Sequence, residues 1–275
     1  LAPHETMPLA RKAAQQALAI DPDLAEAHEA LGRVSMVYDW NFPEAERRLR
    51  LAIELNPNLA SAISNLALFH AAGGNIEPAL EEVQRALQLD PYSTMVADTA
   101  SQVYFMTRAY DQLVKHTLTY IDVFPDNPNL HMWLGGGYAQ MKLYDKAIKS
   151  GERAVQLEPN PMTIAFLGTS YGVAGELEKA RETLAELDRQ REQDFYVCSY
   201  EVATIYIVLN QFDDAFQWLE KALAEKAYCI PWTAADPRWD PIRKDPRFKD
   251  LLRRIGLGEF EIPSPIENIA ITPQN

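Results

Sequence analysis

Prolines recur along this chain at an almost constant interval. Pro22, Pro57, Pro91, Pro125 and Pro159 lie 35, 34, 34 and 34 residues apart. Four of the five follow a similar phrase, an aliphatic residue and then Asp, Asn or Glu. Because a proline cannot continue a helix, each is expected to follow a helix end and to fix the turn into the next unit. A chain with such a period buries its core between successive units.

Small residues recur in phase with these prolines and predict two helices per period. Small side chains where two helices cross let the backbones approach closely. Leu113 and Tyr120 break the pattern, and their added volume would cost about 1–3 kcal/mol unless the helices spread. We therefore expect a local change of superhelical twist near residues 110–124. The three series have members at positions 32, 67, 101, 135, 168 and 203; at 10, 45, 79, 113, 147, 180 and 215; and at 17, 52, 86, 120, 154, 187 and 222.

Over residues 3–226 this pattern resembles the tetratricopeptide repeat, which pairs two antiparallel helices in 34 residues. The resemblance implies an all-α fold, a right-handed α-solenoid. A half repeat is expected at 3–22, with only a second helix, Pro8–Ile20. Six full repeats are expected at 25–59, 60–93, 94–127, 128–160, 161–195 and 196–226. The extra residue in the first repeat places Trp40 and Phe42 between its helices, as an aromatic plug over the helix turn.

The period stops after residue 226. Residues 227–257 are predicted to cap the last repeat, with a helix at Pro246–Ile255 that Asp245 starts as N-cap. The phrase Asp236-Pro237-Arg238-Trp239-Asp240 and its continuation are similar to the C-terminal close of repeat arms in bacterial signalling proteins. Such arms follow winged-helix regulators, Ser/Thr kinases or nucleotide cyclases. Residues 258–275 form a Pro/Ile-rich tail, which we expect to be extended and ordered.

Charge excludes some classes of partner. Lys and Arg number 26 and Asp and Glu 39, so the formal net charge is −13. Nucleic acid is not an expected partner, because phosphate neutralisation needs clustered Lys and Arg. No apolar run approaches the roughly 18 residues of a membrane helix, so membrane insertion is not expected. The sequence does not indicate a compartment.

Catalytic and metal-binding patterns are missing from the sequence. The histidines lie on separate repeats without metal-ligand spacing, and we expect each at the surface or in the groove. Gly135-Gly136-Gly137 follows no strand, so close helix contact is favoured over a partner's approach. Cys198 and Cys229 are predicted to be two half-buried thiols, although one bridge between them is possible. No enzymatic activity and no cofactor are expected.

The resemblance implies that the concave groove, lined by the first helix of every repeat, binds a protein or an extended peptide. Phe105 and Met132 should face this groove without serving the repeat core, so that their removal would leave the helical melt nearly unchanged. Apolar and small residues predominate after the first repeat, which favours an apolar or extended peptide. The predicted groove residues are Arg33, Met36, Leu68, Met95, Asp98, Gln102, Phe105, Asn129, Met132, Gly136, Thr169 and Tyr200.

One subtype of the family is not expected here. Its chaperone-binding members hold a C-terminal carboxylate with Lys, Asn and Arg at fixed groove positions. The corresponding positions hold Glu29, Arg33, Met95 and Thr99, and only Asn65 matches. We therefore do not expect recognition of chaperone tails.

Three functions remain open. The first is a non-enzymatic binding scaffold, and the second is the regulatory arm of a bacterial signalling protein. The third is a structural subunit that assembles head-to-tail into a filament or ring, or a homo-oligomer, through its chain ends. In that case the uncovered N-terminal helix would contact the tail of a neighbour, or the tail would instead pack on its own chain around Trp232 and Trp239. The residues expected to assemble are Leu9, Ala13, Ile20, Ile262, Ile266, Ile269 and Ile271.

Overall fold

A computed structural model describes residues 2–258, and within them the secondary structure is entirely helical. Two short 3-10 helices, Ile230–Trp232 and Pro237–Ile242, separate the last two α-helices. The α-helices are α1 Pro3–Ile20, α2 Ala25–Val37, α3 Phe42–Leu55, α4 Ala60–Ala72, α5 Ile76–Leu89, α6 Thr94–Met106, α7 Tyr110–Val123, α8 Pro128–Gln140, α9 Tyr144–Leu157, α10 Pro161–Val173, α11 Leu177–Glu192, α12 Ser199–Val208, α13 Phe212–Ala224 and α14 Pro246–Arg254.

The first helix is longer than predicted. α1 begins at Pro3 instead of Pro8. Pro3 stands at the start of the helix, where its missing N–H is no loss, and the Glu5 carboxylate accepts a hydrogen bond from the Ala2 N–H at 3.0 Å. Pro8 lies inside the helix and has no backbone N–H, so it removes only one backbone hydrogen bond near the exposed end of the helix. The other twelve helices before residue 226 form six pairs, α2/α3 to α12/α13, within the six ranges of the period.

The turn inside each pair places one residue in the left-handed region, again at intervals of about 34. Glycine occupies this position in only two of the six repeats, at Gly74 and Gly175. The others use Trp40, Arg108, Lys142 and Asn210, with φ between 50° and 65°. Such a residue ends a helix by turning the chain sharply. Because most of these residues are not glycine, the sequence does not reveal the series.

Glycines in α8 make room for neighbours on different sides. A Cβ on Gly135 would lie 3.1 Å from the Ala147 backbone oxygen, which confirms the predicted close helix contact. A Cβ on Gly137 would lie 2.9 Å from the Leu113 Cδ2. Leu113 is fully buried in that space, and α6 and α7 are in sparser contact than the other pairs. The change of twist near these helices stays a prediction.

The C-terminal segment, residues 227–257, does more than cap the last repeat. The 3-10 helix Pro237–Ile242 packs on α12, whereas Ile230–Trp232 packs on α2. The Lys226 Nζ lies 4.6 Å from the centre of the Tyr38 ring, and a Cβ on Gly256 would lie 3.8 Å from the Phe42 ring. The predicted plug residues therefore lie against distant parts of the chain: Trp40 near Lys226, at 5.7 Å from ring centre to Nζ, and Phe42 near Gly256. The segment crosses the concave side and joins the last repeat to the first.

Candidate functional site on the concave side

The C-terminal segment lines two cavities on the concave side, of about 300 Å³ and 340 Å³. The first, the methionine cavity, lies among α1 and the first helices of all six repeats. The second lies beside α10 and α12. Phe105, Phe166 and Arg238 line both cavities, so they form the wall between them.

The structure places all twelve predicted groove residues in the walls of these cavities. Gly136 and Thr169 line the second cavity, Phe105 lines both, and the remaining nine line the methionine cavity. One expectation about them is wrong. Phe105 and Met132 are each only 1% exposed and belong to the main hydrophobic core, together with the fully buried Tyr200. The C-terminal segment covers the concave side there, which is why these side chains serve the core.

Six of the seven methionines of the chain line the first cavity. Three of them are buried in its wall, and Met95 is 47% exposed at its edge. Methionine is unbranched and polarisable, so such a wall can adapt to apolar groups of different shapes. The predicted site residues include three of them; Met162 occupies the same repeat position as Met95, whereas Met7 and Met106 lie outside the usual groove positions. The six are Met7, Met36, Met95, Met106, Met132 and Met162.

Two carboxylates on the concave side are held in the same way, two repeats apart. Glu29 accepts hydrogen bonds from the Ser61 Oγ at 2.7 Å and the Asn65 Nδ2 at 2.8 Å. Burial raises the pKa of Glu29 above its usual value, and these hydrogen bonds and Arg33 oppose the rise. Each carboxylate thus reaches across to a helix of the next repeat. Neutral donors hold it in place.

Asp98 is the second of these carboxylates. Its Oδ2 accepts a hydrogen bond from the Asn129 Nδ2 at 2.7 Å, and its Oδ1 accepts one from the Trp133 Nε1 at 3.1 Å. Burial raises the pKa of Asp98 to about 6, and these two hydrogen bonds only partly oppose the rise. A carboxyl with such a pKa at a cavity wall marks a candidate functional position.

A buried ionic cluster anchors the C-terminal segment to α12. The Arg238 guanidinium contacts the Glu201 carboxylate at 2.6 Å and the Asp236 carboxylate at 2.7 Å. The Tyr200 hydroxyl donates to Asp236 at 2.9 Å and accepts from the Trp239 Nε1 at 2.6 Å. Burial alone would lower the pKa of Arg238, but the two carboxylates outweigh burial and hold it well above its ordinary value. Sequence analysis missed this cluster, although it singled out the phrase that contains Arg238.

A second ion pair ties the segment to the middle of the solenoid. Arg108, in the left-handed turn between α6 and α7, donates both of its terminal nitrogens to the Asp240 carboxylate, each at 2.7 Å. Arg243 donates to the same carboxylate at 2.6 Å. Partial burial would raise the pKa of Asp240, but the two arginines lower it. These contacts hold the segment across the concave side.

Comparisons with known proteins agree with this architecture. Residues 40–94 match the family model of the tetratricopeptide repeat. Human IFIT1, solved as a dimer with PPP-AAAA, superposes with a TM-score of 0.60 and 19% identity, over 91% of this chain and 65% of that chain. A structure titled as the functional characterisation of Pseudomonas aeruginosa PilF gives a TM-score of 0.52 and 18% identity, over 82% of this chain and 98% of that chain. The fold is a tetratricopeptide-repeat solenoid.

Curated relatives of this solenoid are found in plants. Hsp70-Hsp90 organizing protein 3 of Arabidopsis thaliana is 26% identical over 126 residues, which are 46% of this chain and 22% of the relative. Hsp70-Hsp90 organizing protein 1 of Glycine max is 28% identical over 127 residues, with the same shares. The chain spans about a fifth of the length of these relatives.

In this solenoid Asn65, the residue that matches the chaperone-binding pattern, donates a hydrogen bond to Glu29. The absence of chaperone-tail recognition stays a prediction.

Two of the histidines are more buried than predicted. His28 and His70 are buried, and His28 Nε2 lies 2.9 Å from the Pro22 carbonyl oxygen. His131 Nε2 lies at the same distance from the Pro125 carbonyl oxygen. His28 and His131 thus each contact the turn that precedes their own repeat. The local sequence does not predict these contacts. Within residues 2–258, no group of three or more His, Cys, Asp or Glu side chains is arranged to hold a metal ion.

The two cysteines are fully buried, not half-buried as predicted. Cys198 and Cys229 carry free thiols with their sulfur atoms 3.8 Å apart. They lie at the start of α12 and just before Ile230–Trp232, where the C-terminal segment leaves the last repeat.

Among the described helices, none is both long and apolar enough to cross a membrane.

Proposed function

We propose that this solenoid is a protein-interaction scaffold, not an enzyme, and that it binds a peptide segment of a partner in the methionine cavity. Its fold and its curated relatives support the interaction role. The methionine wall is the observation that carries the choice of site. It offers adaptable apolar surface beside the polar groups of Asn65, Gln102 and Asn129. Apolar surface with a few polar groups is typical of binding sites.

The C-terminal segment sets the limits of this site. Six repeats without the segment would offer an open groove along every first helix. With residues 227–257 anchored by Arg238 and Arg108, the space that remains suits a short segment instead of a long extended chain. The segment therefore contributes to selectivity as well as to stability.

The experiment selects peptides on the full chain from a phage-displayed random library and measures their affinity by calorimetry. Met95→Ala should weaken binding by about tenfold or more, because it removes an apolar contact at the edge of the cavity. Leu118→Ala is the matched control, since Leu118 is 44% exposed on α7 and does not line the cavity. If Met95→Ala leaves peptide affinity unchanged while Leu118→Ala lowers it, the binding site lies outside the cavity and the proposal is contradicted.

A second candidate function is self-assembly through the chain ends, as for a head-to-tail subunit. The observation that favours it is the exposed face of α1, where Leu9 is 67% and Ile20 is 88% exposed and Ala13 is exposed as well. The tail residues proposed as the other half, Ile262, Ile266, Ile269 and Ile271, lie outside the described residues.

Light scattering tests the assembly hypothesis directly. The full chain should form oligomers, and Leu9→Asp should dissociate them into monomers. Burying a charge in an apolar contact has a large free-energy cost. Deletion of residues 259–275 should have the same effect. A mass that is monomeric with and without the tail would rule out this function. The role of a regulatory arm has no further support and stays a prediction from the phrase at 236–248.

A further inference from the structure

The charges that line the methionine cavity do not balance. Within residues 2–258 the cavity wall holds two arginines and three acidic residues, which gives 2 − 3 = −1. Arg238 is already shared between Glu201 and Asp236. Arg33, the other cation, is exposed and acts on Glu29, which lies outside the wall. Asp98 is therefore the one acid of this wall that pairs with no cation among the described residues.

Asp98 forms no ion pair with any described residue. Asn129 and Trp133, its two hydrogen-bond partners, are neutral donors. A serine or an amide could accept such bonds without the cost of burying a charge. A purely structural role therefore leaves the choice of a carboxylate unexplained.

Equivalent positions in the other repeats show that the fold does not need a carboxylate there. Counting from the first residue of each repeat range, Asp98 occupies the fifth position. Only the first repeat also has an acid at this place, Glu29, and that one interacts with Arg33. The other four repeats carry uncharged residues, namely Ser64, Met132, Ala165 and Tyr200.

Asp98 is flanked in the cavity wall by two other residues on the same face of α6. Met95 lies three residues before Asp98 and Gln102 four residues after it, so all three lie along one stripe of the helix. All three line the cavity. The stripe thus offers a thioether, a carboxylate and an amide in sequence. An apolar side chain, a cation and a peptide backbone would complement these groups in turn.

We propose that Asp98 forms a subsite for one lysine or arginine side chain of the bound peptide, whose neighbouring aliphatic side chains enter among the methionines. This inference rests on the proposed function. The ligand cation supplies the charge that the cavity wall lacks, and its hydrocarbon stem packs on the methionine side chains. The acidic chain as a whole also attracts a basic peptide electrostatically.

The experiment is a double-mutant cycle on the full chain. Peptides selected from the random library on the wild-type chain should carry Lys or Arg at one position flanked by aliphatic residues. For one such peptide with arginine, replacing the arginine by the neutral isostere citrulline should weaken binding by about tenfold or more. The same replacement should have no effect on binding to Asp98→Asn. Asp122→Asn, an exposed acid on α7, is the matched control and should behave like the wild type.

The possible failures are distinguishable. Peptides that bind in the cavity without a basic residue, or whose citrulline effect persists in Asp98→Asn, overturn this inference and leave the peptide-binding function intact. If no selected peptide depends on Met95, both proposals fall. Lower affinity of Asp98→Asn for arginine and citrulline peptides alike would make Asp98 a structural residue and overturn the subsite.

Discussion

Replacing Asp98 with asparagine should stabilise the free protein near neutral pH. Burial raises the pKa of this carboxyl from 3.8 to about 6. The charged form is therefore disfavoured in the folded state by about two pKa units, or about 3 kcal/mol at about 1.36 kcal/mol per unit. Asp98 keeps some contact with solvent, which screens the effect, so we expect Asp98→Asn to gain about 1–3 kcal/mol.

Linkage between protonation and folding fixes the pH window of this gain. A carboxyl whose pKa is raised on folding stabilises the protein fully below its unfolded pKa, about 3.8 here. That contribution is lost as the pH rises through the folded value of about 6. The wild type should thus lose stability over this interval relative to Asp98→Asn. The advantage of the variant should be complete near about pH 8 and close to zero near about pH 4.

Urea unfolding followed by far-ultraviolet circular dichroism, between about pH 4 and pH 8, measures this advantage. The new amide can still accept the Trp133 bond, and the Asn129 amide can flip to accept from it, so little hydrogen bonding is lost. Asp122→Asn is the control for the loss of one negative charge, because Asp122 is exposed. A variant that is less stable than the wild type at about pH 8, or a gain that does not change with pH, would refute the reasoning.

Three further predictions concern the solenoid and its C-terminal segment. Arg238→Ala leaves two buried carboxylates without their cation and should cost about 3–5 kcal/mol in urea unfolding, whereas a loss below about 1 kcal/mol would contradict the anchoring role. A Cβ on Gly172 would lie 2.1 Å from the Val208 Cγ2, so Gly172→Ala should cost about 1–3 kcal/mol, and adding Val208→Ala should recover part of it in thermal unfolding; a double variant no more stable than Gly172→Ala would speak against this clash. Because Cys198 and Cys229 are buried and burial raises the pKa of Cys229, Ellman's reagent should label neither thiol in the native chain and both in urea; rapid labelling of the native chain would show that the segment opens.

The repeat architecture was readable from the sequence, because the information that specifies a helix pair is local. Each proline and each small residue acts within one period of about 34 residues, so its consequence repeats with the period. The same logic placed the groove residues on the concave side, and Asp245 at the start of the last helix. It fails at the N-terminus, where Pro8 predicts a helix start but the helix begins at Pro3.

Only the tertiary structure decided what covers the concave side. The small rotation between successive repeats adds up over six of them and brings the C-terminal segment against the first repeat. Arg108 and Asp240 are 132 residues apart, and no period in the sequence connects them. Burial of Phe105 and Met132 follows from that closure. A side chain's position on a helix face is fixed by its place in the repeat, but its exposure depends on what the rest of the chain lays over that face.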